Sequence, residues 1–284
     1  MTTANGLKSQ AGGAAASGLR RCAANVAAAL ATLVRPARVH PRQVWPLTPQ
    51  QLALAAALAV AVFLIGMVFI DAAAINAVAH LPRWVIWFFD EITDFGKSGW
   101  FLWPLGILFL AGAALPQSLS PLSQRVLAGV MVRIGFLFVA IGAPSLFVTI
   151  VKRFIGRARP LVTGIADPYV FDPFKWSAAY AGLPSGHATT AFAVLAAFGS
   201  LWPRARTILL IYALLIAASR VAVTAHYPTD VAAGALVGIV GVLMVRRYFA
   251  LRLLGFSVGL DGTMHQFPGP SLRRIKSVAR ELLG

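Results

Sequence analysis

Six long apolar stretches constrain the fold of this chain more than any other feature. They lie at residues 52–70, 100–115, 126–151, 188–202, 207–219 (extending toward 223) and 231–245. About 20 apolar residues in a helix cross a bilayer core, where every backbone N–H and C=O must be bonded internally. The stretches therefore predict an all-α fold, a polytopic membrane bundle with about six transmembrane helices. The shorter ones need flanking residues to complete a span.

Composition supports a membrane protein and argues against a nucleic-acid binder. Of 284 residues, 58% are hydrophobic and 12% are charged, whereas a soluble domain is about one quarter charged. The net charge of +16 comes from residues at the chain ends and between apolar stretches, where they act as topology signals. We expect membrane lipids and no nucleic acid as partners. Because Cys22 is the only cysteine, neither an intramolecular disulfide nor a cysteine metal site is expected.

The apolar stretches divide the chain into an N-terminal tail (1–50), a transmembrane domain (51–247) and a basic C-terminal tail (248–284). With the N-terminus inside, 16 Lys and Arg residues fall on the cytoplasmic side and eight on the outer side. This excess predicts a multi-pass protein of the cell (inner) membrane with both termini in the cytoplasm. Arg20-Arg21 resembles a twin-arginine signal only weakly, so a cytoplasmic tail is the preferred interpretation.

Three short motifs follow one another in the second half of the chain, each beside an apolar stretch. The first follows the third predicted span, the second precedes the fourth, and the third joins the fifth and sixth. All three therefore lie on the outer face of the predicted topology, as a single site requires. Their residues are Lys152 and Arg159-Pro160; Pro184-Ser185-Gly186-His187; and Ser219-Arg220, His226 and Asp230.

Five of these residues are suited to binding a phosphate group. Arg159 and Arg220 can each donate two parallel hydrogen bonds to phosphate oxygens, and Lys152 supplies a compact positive charge. Ser185 is a candidate helix N-cap, so the free N–H groups that follow it would point at an anion. Gly186 allows the backbone to approach that anion closely.

The two motif histidines and the carboxylate are suited to nucleophilic catalysis. Asp230 lies four residues after His226, within one turn, and can orient its imidazole. The other ring nitrogen of His226 would then attack phosphorus. His187 stands beside the phosphate cradle and is placed to protonate the leaving oxygen. Three basic residues receive a simpler interpretation: Arg153 and Arg157 would contact lipid headgroups, and Arg133 would snorkel toward the cytoplasm.

No carboxylate cluster predicts a metal site, so neither a metal nor another cofactor is expected. Asp90, Glu91 and Asp94 lack histidine partners. They follow a run of Trp and Phe residues within 74–97, a pattern that indicates an interfacial helix with its aromatic rings at the headgroup level. Packing against the bundle would explain that helix equally well.

The complete motif set resembles the type 2 phosphatidic acid phosphatase superfamily, which also includes vanadium haloperoxidases and bacterial acid phosphatases. The resemblance covers about residues 100–245. It implies a helical-bundle core, six transmembrane helices in membrane members, and metal-independent hydrolysis through a phosphohistidine. By resemblance His226 is the nucleophile, Asp230 its orienter and His187 the proton donor. Lys152, Arg159, Arg220, Ser185 and Gly186 would bind the phosphate.

The sequence leaves the substrate and the phosphoryl acceptor open. An outward pocket at the headgroup level suits phosphatidate, phosphatidylglycerophosphate, a polyprenyl diphosphate or the phosphates of lipid A, with loop 161–183 as one wall. A lipid phosphotransferase could use the same phosphohistidine, and a vanadium haloperoxidase could use the same pocket. A non-enzymatic lipid-binding relative would be expected to lack a nucleophile or a cation, and this chain has them all.

Overall fold

The computed structural model describes residues 2–40, 47–115, 119–259 and 261–283. Parts of the two predicted tails, at 1, 41–46, 260 and 284, lie outside the described residues. So does Arg42, one of the basic residues counted for the orientation. The helices are α1 (Thr2–Val34), α2 (Pro49–Phe69), α3 (Asp71–Val78), α4 (Arg83–Thr93), α5 (Gly99–Ala114), α6 (Pro121–Ile155), α7 (Gly186–Leu201), α8 (Arg206–Ala222), α9 (Pro228–Leu251) and α10 (Leu272–Leu283).

Each predicted apolar stretch is a helix, which confirms the helical membrane bundle. Within the described residues, four segments are long and apolar enough to cross a membrane: Pro49–Phe69, Pro121–Ile155, Pro203–Ala222 and Pro228–Leu251. Helices α5 and α7 have 16 residues each. At 1.5 Å per residue they rise only about 24 Å, less than a bilayer core. The count of six spans therefore stays a prediction.

Local sequence signals start and stop the helices that carry the site. Ser120 caps α6, with Pro121 in its first turn. Gly156 ends α6 in a left-handed conformation (φ 64°), and a Cβ on it would lie 2.0 Å from the Asp172 carbonyl oxygen. Only glycine fits there, so the chain turns sharply where the first motif continues. At α9, Pro228 occupies the first turn, and the Asp230 carboxylate accepts the Tyr227 backbone N–H at 3.0 Å.

Helix α7 is the centre of the bundle and packs against α6, α8 and α9. Small residues let α9 approach it closely. A Cβ on Gly234 would lie 2.4 Å from the Ser185 carbonyl oxygen, and one on Gly238 would lie 2.5 Å from the Thr189 carbonyl oxygen. Below this contact lies a core of larger apolar side chains, including Phe136, Ile141, Val194, Val242 and Phe249.

The two ends of the bundle differ in which helices begin and end there. At one end α6 and α8 finish while α7 and α9 begin, and this end carries the three motifs. At the other end lie α10 and an antiparallel hairpin, β1 (Phe256–Val258) paired with β2 (Met264–Gln266). There Ser120 Oγ donates to Glu281 at 2.9 Å, and Arg252 Nε donates to the Arg35 carbonyl at 2.9 Å.

Both predicted tails therefore contain helices that pack on the bundle at the end opposite the motifs. Helix α1 contacts α5, and Asn25 Nδ2 donates to the Ala113 carbonyl at 2.7 Å. Helix α10 contacts α6. The boundaries at 50 and 248, and the side of the membrane on which these segments lie, stay predictions.

Candidate active site

The structure brings the three motifs together at one end of the bundle. The Ser185 backbone N–H donates to the Asp230 carbonyl at 2.9 Å, which joins the second motif to the third. A Cβ built on Gly186 would lie 3.9 Å from Lys152 Nζ, so the first motif meets the second. Because α6 and α8 end here while α7 and α9 begin, residues far apart in sequence share one pocket.

Three cations line this pocket without a carboxylate ion-pair partner among the described residues. Lys152 lies in the last turn of α6, Arg159 just beyond it, and Arg220 in the last turn of α8. The Nε atoms of Arg159 and Arg220 are buried and have no hydrogen-bond partner in the described part of the chain. Burial, together with the charge of Arg153, lowers the pKa of Arg159. Crowded, unpaired cations of this kind suit an anion with several oxygens.

The start of α7 adds backbone donors to these cations. Ser185 is fully buried at the N-cap position, and its hydroxyl is 3.5 Å from the Ala188 N–H. The first N–H groups of a helix have no partner within it, and the helix dipole favours negative charge at this end. Gly186 and His187 occupy the first helical positions. The geometry thus combines side-chain cations with a helix terminus at one anion site.

His226 and Asp230 form a buried pair beneath the cations. His226 Nδ1 lies 3.7 Å from Asp230 Oδ2, longer than a hydrogen bond, and the two side chains are 3% and 0% exposed. Such catalytic contacts often tighten when substrate binds. Burial lowers the pKa of His226, the Asp230 carboxylate opposes that effect, and Arg220 and Arg159 reinforce it. The imidazole is therefore neutral near pH 7, as a nucleophile requires.

His187 reaches the same pocket from the other side. It lies within electrostatic range of Arg220 and His226. Its ring packs on the turn after α4, because a Cβ on Gly96 would lie 2.9 Å from His187 Cδ2. The turn that follows the amphipathic helix α4 thus packs directly against the candidate proton donor.

Arg157 is not a headgroup contact, and that prediction is wrong. Its side chain is fully buried and forms two ion pairs, with Asp230 Oδ1 at 2.7 Å and with Asp71 Oδ2 at 2.8 Å. The guanidinium also lies 4.7 Å from the centre of the Tyr227 ring. Arg157 therefore holds the carboxylate that contacts His226. The sequence does contain one signal for the burial of Arg157. Asp71 is a lone carboxylate between apolar segments, and such a group needs a buried partner.

Two threonines complete the polar network and were also missed. Thr93 Oγ1 accepts from Ser219 Oγ at 2.9 Å and is hydrogen-bonded to Arg220. Thr229 Oγ1 accepts from Arg157 at 2.8 Å, while its backbone N–H donates to Asp71 at 3.0 Å. A lone threonine gives no such signal in a sequence, because its hydroxyl is equally suited to a helix interior or a turn.

Three other charged residues singled out in the sequence have partners within the protein. Arg153 donates to the Ser177 carbonyl at 3.0 Å, and Arg133 donates to the Phe267 carbonyl at 2.8 Å. Asp94 pairs with Lys97 at 2.8 Å. Within the described ranges, no group of three or more His, Cys, Asp or Glu residues is arranged to hold a metal ion. Metal-independent action stays a prediction.

Comparisons with known proteins agree with this architecture. Residues 133–253 match the family model described as the PAP2 superfamily. Lipid A 1-phosphatases from Rhizobium johnstonii and Rhizobium etli are each 36% identical over 174 residues, which cover 61% of this chain and 71% and 75% of those relatives.

Two solved structures are also similar. Aquifex aeolicus LpxE shows 22% identity and a TM-score of 0.45, covering 62% of this chain and 93% of LpxE. A transmembrane PAP2-type phosphatidylglycerolphosphate phosphatase from Bacillus subtilis shows 20% identity and a TM-score of 0.46, covering 66% of this chain and 92% of that one.

A helical membrane bundle with cations, two histidines and a helix terminus at one end defines a membrane phosphatase. The identity to the rhizobial enzymes and the family match show that the chain belongs to the PAP2 superfamily. It is a membrane lipid phosphatase of that superfamily, which confirms the resemblance inferred from the motifs.

Proposed function

We propose that the protein hydrolyses the phosphate of a lipid A-type lipid through a phosphohistidine at His226, without a metal ion. One observation carries the mechanism: a buried imidazole lies within electrostatic range of two arginines that have no ion-pair partner among the described residues. The two rhizobial relatives support lipid A over phosphatidate, phosphatidylglycerophosphate and polyprenyl diphosphates.

In the first step the cations and the α7 terminus hold the phosphate oxygens. The unprotonated nitrogen of His226 attacks phosphorus in line with the lipid oxygen. A phosphorus–nitrogen bond forms while the phosphorus–oxygen bond to the lipid breaks, and His187 gives its proton to the departing oxygen. Asp230 stabilises the positive charge that develops on the imidazole of His226, and Arg157 keeps that carboxylate in place.

In the second step His187, now neutral, takes a proton from water. The resulting hydroxide attacks phosphorus and breaks its bond to His226, which releases inorganic phosphate and restores the enzyme. Lys152, Arg159 and Arg220 hold the phosphate oxygens through both steps, and a fixed array of charge stabilises both transition states without reorganising. The predicted topology places this chemistry on the outer face of the inner membrane.

Phosphate release by the purified protein in detergent, with a chelator present, tests this function. Lipid A, phosphatidate, phosphatidylglycerophosphate and undecaprenyl diphosphate would be compared, each with the wild type and with His226→Ala. We expect release from lipid A that the variant abolishes while its folding is unchanged. Full activity of His226→Ala, or a strict requirement for Mg²⁺, would contradict the mechanism. Transfer of label to an added acceptor lipid, with no free phosphate, would indicate a phosphotransferase.

A further inference from the structure

A groove of about 820 Å³ opens next to the first and third motifs. Helices α3 and α4 form one wall, with residues that include Asn76 and Trp87. The facing wall comes from residues that adjoin the motif positions in sequence. Leu161 follows Arg159 by two residues, and Thr224 lies between Arg220 and His226. A ligand whose phosphate is held by the motif cations would therefore extend its adjoining atoms into this groove.

Apolar residues form most of the groove lining, and four polar side chains that make no hydrogen bond or ion pair within the described part of the chain complete it. Asn76, His80, Arg83 and Asp90 line it and are exposed. Over the described ranges, none of these four side chains makes a hydrogen bond or ion pair with another residue. Arg83 is a cation and Asp90 is an anion, while Asn76 and His80 can donate or accept hydrogen bonds. Trp87, 65% exposed, adds an aromatic ring to the same wall.

This lining selects among the chemical groups that can adjoin a lipid phosphate. An acyl chain would pack on the apolar residues but would leave the hydrogen-bonding groups of Asn76, Arg83 and Asp90 unused. A second phosphate would be repelled by Asp90. The glyceride esters of phosphatidate have no free hydroxyl, so they cannot form hydrogen bonds with several of these side chains at once. A sugar ring suits both kinds of lining, because its hydroxyls both donate and accept while its C–H face packs on apolar and aromatic side chains.

Backbone strain is concentrated where the groove meets the phosphate pocket. Leu161 and Thr224 adopt left-handed conformations, with φ of 63° and 50°. This region is unfavourable for non-glycine residues, and most of all for a β-branched one such as Thr224. Strained backbone of this kind concentrates at ligand-binding sites, where the surrounding structure holds it. Both residues line the groove.

We propose that this groove binds the sugar ring that carries the scissile phosphate of a glycolipid, with Trp87 packing on the ring and Asp90 accepting from its hydroxyls. The inference rests on the proposed function and adds a specificity site to it. Both residues act on the substrate beyond the phosphate, so they should affect sugar-phosphate lipids and spare phosphatidate.

The first experiment compares two lipids and two pairs of matched variants. Trp87→Ala and Asp90→Asn alter the groove, whereas Trp84→Ala and Glu91→Gln alter α4 outside its lining. On lipid A, each groove variant should lower kcat/KM about tenfold, mainly through KM, since the lost contacts form in the ground state as well. On phosphatidate both should stay within about twofold, and the control variants should leave both lipids unchanged.

The second experiment uses soluble competitors and needs no lipid A activity. Glucosamine 1-phosphate and glycerol 3-phosphate would compete with a chromogenic phosphate ester. Trp87→Ala should weaken competition by the sugar phosphate about tenfold and leave glycerol 3-phosphate unchanged, because only the sugar reaches the ring.

Equal losses for both lipids or both competitors would overturn the sugar site, as would no loss for either. A wild-type protein that acts on phosphatidate and not on lipid A would instead contradict the proposed substrate. The competitor experiment would then still report whether the groove binds a sugar ring.

Discussion

At the residue scale, the pKa of His226 is set by burial, by one carboxylate and by two arginines. Burial lowers its pKa below the ordinary value of 6.5, while the Asp230 carboxylate raises it and the nearby arginines lower it. The unprotonated imidazole is the nucleophile, so activity is present above this pKa and lost as the pH falls through it. We predict that the acidic limb of kcat/KM lies below pH 6.5.

The variant Asp230→Asn makes this prediction specific to His226. Removing the carboxylate lowers the pKa further, so the acidic limb should move to lower pH while the maximal rate falls. The pH profile of phosphate release, measured on both proteins, checks this. Because the substrate phosphate also titrates near pH 6, a limb that stays fixed in Asp230→Asn would assign it to the substrate and contradict the account.

Arg157 is the second residue whose role can be tested separately. Arg157→Gln leaves the buried carboxylates of Asp71 and Asp230 without their cation, so we expect a loss of about 3–5 kcal/mol in stability and a large fall in kcat. Adding Asp71→Asn removes one uncompensated charge and should restore part of the stability without restoring kcat. Thermal unfolding in detergent and phosphate release would be measured together.

Arg153→Gln is the matched control for Arg157, because this half-buried arginine donates to one backbone carbonyl and makes no ion pair among the described residues. It should change stability by about 1 kcal/mol or less. Equal effects of the two substitutions would show that Arg157 is an ordinary loop residue. An Arg157→Gln protein with normal kcat would exclude its positioning of Asp230.

At the element scale, the separation of α7 and α9 sets the distance between the phosphate cradle and the nucleophile. Gly238→Ala places a Cβ 2.5 Å from the Thr189 backbone oxygen, so one helix must move. We expect a loss of about 1–3 kcal/mol in stability and a lower kcat, because Ser185 and His187 shift relative to His226. Gly135→Ala is the control, since its Cβ would lie 3.8 Å from Phe109. Equal behaviour of the two variants in unfolding and turnover would contradict this.

The helices were predictable from sequence because a membrane helix needs a long apolar run whatever its neighbours are. The meeting of the three motifs was predictable because their positions beside apolar stretches place them at helix ends, and the catalytic roles of their residues stay predictions. Burial of Arg157 was not predictable from its own segment, since its partner Asp71 lies 86 residues away. The β1–β2 hairpin was missed although Asp261-Gly262 is a typical turn pair.

At the scale of the whole molecule, the prediction concerns the two ends of the bundle. The loop after α6 and the helix α10 lie at opposite ends, so they should lie on opposite sides of the membrane. In a Cys22→Ser background, Thr163→Cys should react with an impermeant maleimide from outside intact cells. Ser277→Cys, exposed on α10, should react only after permeabilisation. The reverse pattern would place the site in the cytoplasm and contradict the charge-based orientation.

Trapping the covalent intermediate tests the central claim most directly. The protein would be mixed with ³²P-labelled lipid substrate and quenched in alkali within a turnover, and the labelled peptide would be identified. A phosphorus–nitrogen bond survives alkali and breaks in acid, so we predict acid-labile label on the peptide that contains His226. His226→Ala should carry none. Normal turnover with no trapped label, or label on another residue, would contradict the phosphohistidine mechanism.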